Sequence, residues 1–98
     1  MNKDTKLALE RLLDVAHRDS GQSKKVANFL LAWWNAEICG GFDLTDLWGL
    51  DTELCTDALR VFLHIATVNA YPDTLGYGPQ FERLVADWRP HLIKSTAG

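Results

Sequence analysis

Four stretches of this chain repeat apolar residues at spacings of three and four, and glycine or proline closes each one, which confines the chain to helices of modest length. In the first, from about Thr5 to His17, Leu9, Leu12, Leu13 and Ala16 share a face, and Asp4 precedes them as the expected N-cap. Asp19-Ser20-Gly21 breaks the period. Ser20 or Ser23 can then cap a second helix that carries Val26, Ala27, Leu30, Leu31 and Trp34 on one side and ends before Gly40-Gly41. Asp43 can cap a short turn running through Trp48, with Gly49 expected to close it in a left-handed conformation. Asp51 is expected to cap a long helix on which Leu54, Ala58, Val61, Phe62, Ile65 and Val68 recur, until Tyr71-Pro72 stops it. Pro79 suits the first position of a last helix whose inner face is Phe81, Leu84, Val85 and Trp88, with Pro90 as its boundary. No convincing alternating strand and no internal repeat interrupts the pattern. The expectation is an all-α fold, a compact bundle of four main helices plus one short helix. It forms a single domain over residues 1–98 with a loose C-terminal tail from about residue 91.

A length of 98 residues leaves room for one domain, and 47% apolar residues suffice for a single core, well outside the composition of disordered chains. No apolar run approaches the roughly 20 residues needed to cross a bilayer, so no membrane partner is expected. The opening Met-Asn-Lys-Asp-Thr-Lys run lacks the apolar core of a signal peptide, and Cys39 and Cys55 form no disulfide framework, which together predict a cytoplasmic protein.

The reactive side chains do not assemble into a recognised catalytic pattern. Cys39 and Cys55 are isolated and His17, His64 and His91 lie far apart, so no metal site is expected. Asp43, Asp46 and Asp51 miss the alternating ligand spacing of a calcium loop. Gly76-Tyr77-Gly78-Pro79 has two glycines before a helix but no Gly-Lys-Ser/Thr ending, and Pro79 deletes an amide that a phosphate would need. His64 sits beside Val61, Ile65 and Val68 and reads as a histidine at the edge of the core, and His17 as one at a helix C-terminus. No cofactor is expected and no residue is assigned a catalytic role. A cryptic acid/base site centred on His64 is the remaining enzymatic alternative.

Charge is distributed unevenly behind a net value of −3. Residues 1–25 hold six basic and four acidic side chains, whereas between Lys25 and Arg60 there is no basic residue and six acidic ones: Glu37, Asp43, Asp46, Asp51, Glu53 and Asp57. That disfavours binding to nucleic acid, whose non-specific affinity rests on cationic footprints. The same stretch contains Trp33, Trp34, Phe42 and Trp48. Carboxylates steer association and desolvated aromatics anchor it, so the stretch reads as a recognition surface. Adjacent helical residues point about 100° apart. If Trp34 continues the core face, Trp33 joins Phe29 on another. With Asp43 and Asp51 accounted for by capping, the candidate partner-binding residues are Trp33, Asp46, Trp48, Glu53 and Asp57.

Gly40-Gly41-Phe42-Asp43-Leu44, then Asp46-Leu47-Trp48, with Tyr71-Pro72-Asp73 and Phe81-Glu82-Arg83-Leu84-Val85 downstream, resembles a small uncharacterised family encoded on plasmids and integrative elements of proteobacteria. The resemblance spans most of the chain. It implies a bacterial accessory protein and transfers no catalytic residue. The function expected from the residues is a non-enzymatic interaction module that binds a protein partner with a basic surface. By analogy with other small acidic proteins of mobile elements, one instance is an inhibitor of host defence of the anti-CRISPR kind. A self-associating structural protein, a homodimer built on the same aromatics, is the alternative.

Overall fold

The computed structural model describes residues 1–97, with side chains as far as Ile93. Its elements follow in the order α1 (Lys3–Ala16), α2 (Gly21–Cys39), a 3-10 helix η1 (Leu44–Gly49), α3 (Thr52–Thr67), a second 3-10 helix η2 (Pro72–Leu75), α4 (Gly78–Trp88) and α5 (Pro90–Ala97). The all-α fold and the four longer helices stand as expected.

Helix α1 begins two residues earlier than its apolar period suggested. Asn2, not Asp4, is the N-cap, its side-chain oxygen accepting the Thr5 amide at 2.8 Å. At the other end His17 is the C-cap, and its Nδ1 donates to the Leu13 carbonyl at 2.6 Å. Ser20 caps α2 by accepting the Ser23 amide at 3.0 Å, and the Ser23 hydroxyl lies 2.8 Å from that of Ser20. The expected cap on α3 is absent. Asp51 precedes that helix but makes no side-chain cap bond; its carboxylate instead accepts from Gln22 Nε2 at 3.0 Å, and its amide donates to Gln22 Oε1 at 2.7 Å. This reciprocal pair ties the start of α2 to the start of α3.

Gly49 does not take the left-handed conformation expected of it; among the described residues positive φ occurs at Gly40 (97°) and Gly76 (89°). A Cβ there would meet only the terminal ammonium and last methylenes of Lys25, a flexible side chain that can move aside, so neither φ nor backbone crowding demands glycine at this position. Proline lacks an amide that the first turn of a helix does not use, so Pro90, expected as a boundary, also begins α5.

The core forms where the predicted apolar faces meet. Leu9, Leu12, Ala16, Ala27, Leu30, Leu31, Phe81 and Leu84 are fully buried, and each large one contributes about 1.5–3 kcal/mol by leaving water. Helix α1 lies at the centre, packing on both α2 and α3, while α4 packs on α2 and is tied to the end of α1 by Trp88 Nε1–H, which donates to the Ala16 carbonyl at 2.8 Å. Phe81 of α4 fits between the adjacent tryptophans, edge-on to Trp33 at 5.8 Å and stacked on Trp34 at 5.6 Å. One more pairing is weak: α2 and α3 touch each other sparsely, although both lean on α1. That gap positions the candidate site.

Candidate partner-binding surface

An amphipathic helix needs one apolar stripe to join a core; α3 has two. Leu54, Ala58, Val61 and Ile65 face α1 and the interior, as their spacing predicts. Leu59, Phe62, Leu63 and Ala66 form a second stripe at positions i, i+3, i+4 and i+7, and it is left in water: Leu59, Phe62 and Leu63 are 55%, 54% and 65% exposed. An apolar arc this wide asks for two neighbours, and α1 supplies one.

Beside that stripe lies an apolar trough. Its first part is lined by Phe29 of α2, Phe42, Leu44 and Leu47 from the linker and η1, and Ala58, Leu59 and Phe62 of α3. Phe29 and Phe42 meet edge to face at 5.3 Å and close its floor. The next part shares Phe29, Phe42, Leu44 and Phe62 and adds Ala32, Trp33 and Ile65. A third part, partly polar, carries on past Trp33 and Ile65 to Val68, Asn69, Ala70 and Tyr71. Leu44 is 65% exposed on the rim. A contiguous apolar surface of this kind is characteristic of a site that meets another molecule.

The predicted residues fall in different places. Trp33 is half-buried and lines the trough, held there by its Nε1–H, which donates to the Ala70 carbonyl at 3.1 Å. Asp46 is half-buried on η1, between the lining residues Leu44 and Leu47, whereas Glu53, exposed in the first turn of α3, lies one turn before Asp57 on the side of Arg11, whose pKa it helps to raise, and faces away from Leu59 and Phe62. Trp48 is 85% exposed on η1 but lines no part of the trough. Asp57 requires a correction: it is 3% exposed, and its carboxylate is gripped by Arg11 of α1, so it holds the fold together and cannot steer a partner.

The acidic character of the η1 end is retained without Asp57. Asp43 is exposed and caps η1, accepting the Thr45 hydroxyl at 2.8 Å and the Thr45 amide at 2.9 Å. Those hydrogen bonds, the hydroxyl's first, hold its carboxyl below the usual range and keep it ionised. Arg60 leans away toward Asp4 of α1 at 3.9 Å, whereas Lys25 of α2 brings its ammonium to Gly49, one cation at the end of η1. Among the described residues no three His, Cys, Asp or Glu side chains group as metal ligands, and no helix is long and apolar enough to cross a membrane. His64 is half-buried and lines none of the three parts of the trough.

Sequence reasoning missed Leu44, Leu59, Phe62 and Leu63 as surface residues. The signal was present in α3, where apolar residues cover too wide an arc for one interface, but Phe62 had been counted with the inner face.

A model of a family of unknown function, DUF7673, matches residues 6–89, and the chain belongs to that family. No curated protein and no solved structure matches it.

Proposed function

We propose that this member of a family of unknown function is a non-enzymatic interaction module that binds a basic protein surface at the η1 and α3 face. The observation that carries the reading is the apolar trough from Leu47 to Ile65, with Asp43 and Asp46 at one end. Apolar contact area supplies affinity, and clustered charge speeds encounter and selects the sign of the partner. Trp33 is part of the apolar wall, whereas Trp48 is a separate exposed contact on η1. An inhibitor of a host defence protein, acting by covering a basic nucleic-acid-handling surface, is one instance of this role, and a place on a bacterial mobile element suits it.

The test is capture from the native bacterial host by the wild-type chain, by Phe62→Ser and by Asp46→Lys. The reading expects at least one host protein held by the wild type and lost by both variants. Its binding, once purified, should weaken as salt rises past about 0.1 M, where the screening length is roughly 10 Å. If every captured protein is retained by both variants, the reading is wrong.

Self-association is the second reading, favoured by the exposed Leu59, Phe62 and Leu63 stripe, which a second copy could cover. Light scattering across a concentration series separates the two, since a monomer throughout removes it.

A further inference from the structure

The shape and chemistry of the trough select among partners. It follows α3 from Ala58 to Val68, about three helical turns or roughly 15 Å. At the η1 end its lining is wholly apolar, from Phe29, Phe42, Leu44, Leu47, Ala58, Leu59 and Phe62. An extended peptide laid there would bury amides and carbonyls without partners, at a cost of the order of 1–3 kcal/mol for each group. No strand edge exists among the described residues to receive it. A helix satisfies its own backbone and meets no such cost.

Packing indicates the same occupant. Helices α2 and α3 both rest on α1 but hardly touch each other, and the trough runs between them. A helix placed there would cover Leu59 and Phe62 and complete a bundle in which α3 has two neighbours instead of one. Charge then distinguishes a foreign helix from a second copy. Asp43 and Asp46 alternate with the lining residues Leu44 and Leu47 on η1 and outnumber the single ammonium of Lys25 at Gly49, so a second copy docked η1 end to η1 end brings like charge to like. A lysine- or arginine-bearing helix is attracted there.

We infer that the trough receives a basic amphipathic α-helix of the partner, its apolar residues at i, i+3, i+4 and i+7 seated along Leu44, Leu59, Phe62 and Ile65 and its cations beside Asp43 and Asp46. The inference rests on the interaction-module reading and specifies its partner.

The experiment titrates the isotope-labelled chain with three synthetic peptides of about 15 residues, long enough to span the trough as a helix. One is a leucine–lysine sequence with leucines at helical spacing, one has the same composition with that spacing destroyed, and one replaces lysine by glutamate. Saturable chemical-shift changes centred on Leu44, Leu59 and Phe62 are expected with the first peptide. Affinity should be roughly tenfold or more weaker with the other two, and for Phe62→Ser, whose folding is checked by circular dichroism. Equal binding of the ordered and scrambled lysine peptides would mean charge alone and overturn the helix. Shifts centred elsewhere, or no saturable binding, overturn it too, as does a free chain whose dimer occludes Phe62 in sedimentation. The two readings fail separately. A host protein captured through Phe62 but bound as an extended segment removes the helix and leaves the module. Peptide binding with no Phe62-dependent host protein does the reverse.

Discussion

Arg11 of α1 grips Asp57 of α3 through two parallel hydrogen bonds, Nε to Oδ2 at 2.9 Å and Nη2 to Oδ1 at 2.8 Å. The partners are unequal: the Asp57 side chain is 4% exposed, while that of Arg11 is 57% exposed. The fork therefore reaches from the surface down to a carboxylate that water does not solvate, and the contact raises the Arg11 pKa above its ordinary value.

Removing Arg11 leaves that carboxylate buried and uncompensated, which is more harmful than losing an exposed pair. Arg11→Ala should lower the melting temperature clearly, while Arg18→Ala, which breaks the solvent-exposed pair with Asp14, should cost only about 0.3–0.5 kcal/mol. The double change Arg11→Met/Asp57→Leu should recover most of the loss, because it removes the stranded charge along with its partner. Thermal melts of the four proteins check this. Equal melting temperatures for Arg11→Ala and Arg18→Ala would mean that the buried pair adds nothing.

Arg89 joins the end of α2 to the end of α4. Its Nε donates to the Cys39 carbonyl at 2.9 Å, Nη2 to Asn28 Oδ1 at 2.8 Å and Nη1 to the Trp88 carbonyl at 2.9 Å. A lysine cannot spread its donors over three acceptors in this fixed plane. Arg89→Ala is expected to cost about 2 kcal/mol in urea unfolding, a typical value for bonds from a charged donor, and Arg89→Lys to regain a minor part.

The exposed stripe of α3 predicts an unusual dissociation of stability from surface behaviour. Phe62 is 54% exposed, so Phe62→Ser should cost only about 1 kcal/mol, the transfer contribution of the covered part of the ring, whereas core Leu30→Ala should cost about 2–5 kcal/mol. The same Phe62→Ser change should sharply reduce binding of a hydrophobic dye to the folded chain. A large loss of stability in Phe62→Ser would place Phe62 in the core and remove the trough.

How far the sequence reveals these features depends on the range of the interaction behind each. Helices were readable because Leu9, Leu12 and Leu13, or Leu30 and Leu31, declare their face within a single turn. Caps were read less well. Ser20 was one of two candidates for its helix, Asp51 is diverted by Gln22, which is distant in sequence, and Asn2 takes the place expected for Asp4. The surface was read least well. Asp57 resembles any acid on a helix until Arg11, 46 residues away, is seen beside it. Phe62 likewise fits the inner period of α3, and only the sparse contact between α2 and α3 leaves it outside. Pro90 was legible as the end of α4 but not as the start of α5, since a proline satisfies both positions.

The two thiols should react at different rates. Cys39 is buried at the end of α2, and burial pushes its pKa up, more than the nearby Arg89 pulls it down, so the reactive thiolate is scarce. Cys55 is half-buried on α3 and both cysteines are free thiols. Native chain treated with a thiol-specific disulfide reagent should show one fast and one slow step, the slow one assigned to Cys39 by its loss in Cys39→Ala. In denaturant the two steps should merge.

Alkaline pH tests the far side of the bundle. Tyr77 is 8% exposed and its hydroxyl donates to Glu10 Oε2 at 3.3 Å. Burial chiefly, and then the negative charge of Glu10, raise the phenol pKa above its ordinary value of about 10. The folded chain therefore keeps a proton that the unfolded chain releases. Linkage then requires the stability from this group to be complete below about pH 10 and to be lost as pH rises through the folded pKa. Cys39 contributes a similar loss that begins lower, near pH 8.5, because its pKa is raised from a lower starting value. Urea unfolding between pH 7 and 11 should show stability falling in these two ranges. Cys39→Ala should remove the earlier fall and Tyr77→Phe the later one. If the loss above pH 10 is unchanged in Tyr77→Phe, the phenol is not its source, and the contact between α1 and the start of α4 contributes nothing to the pH response.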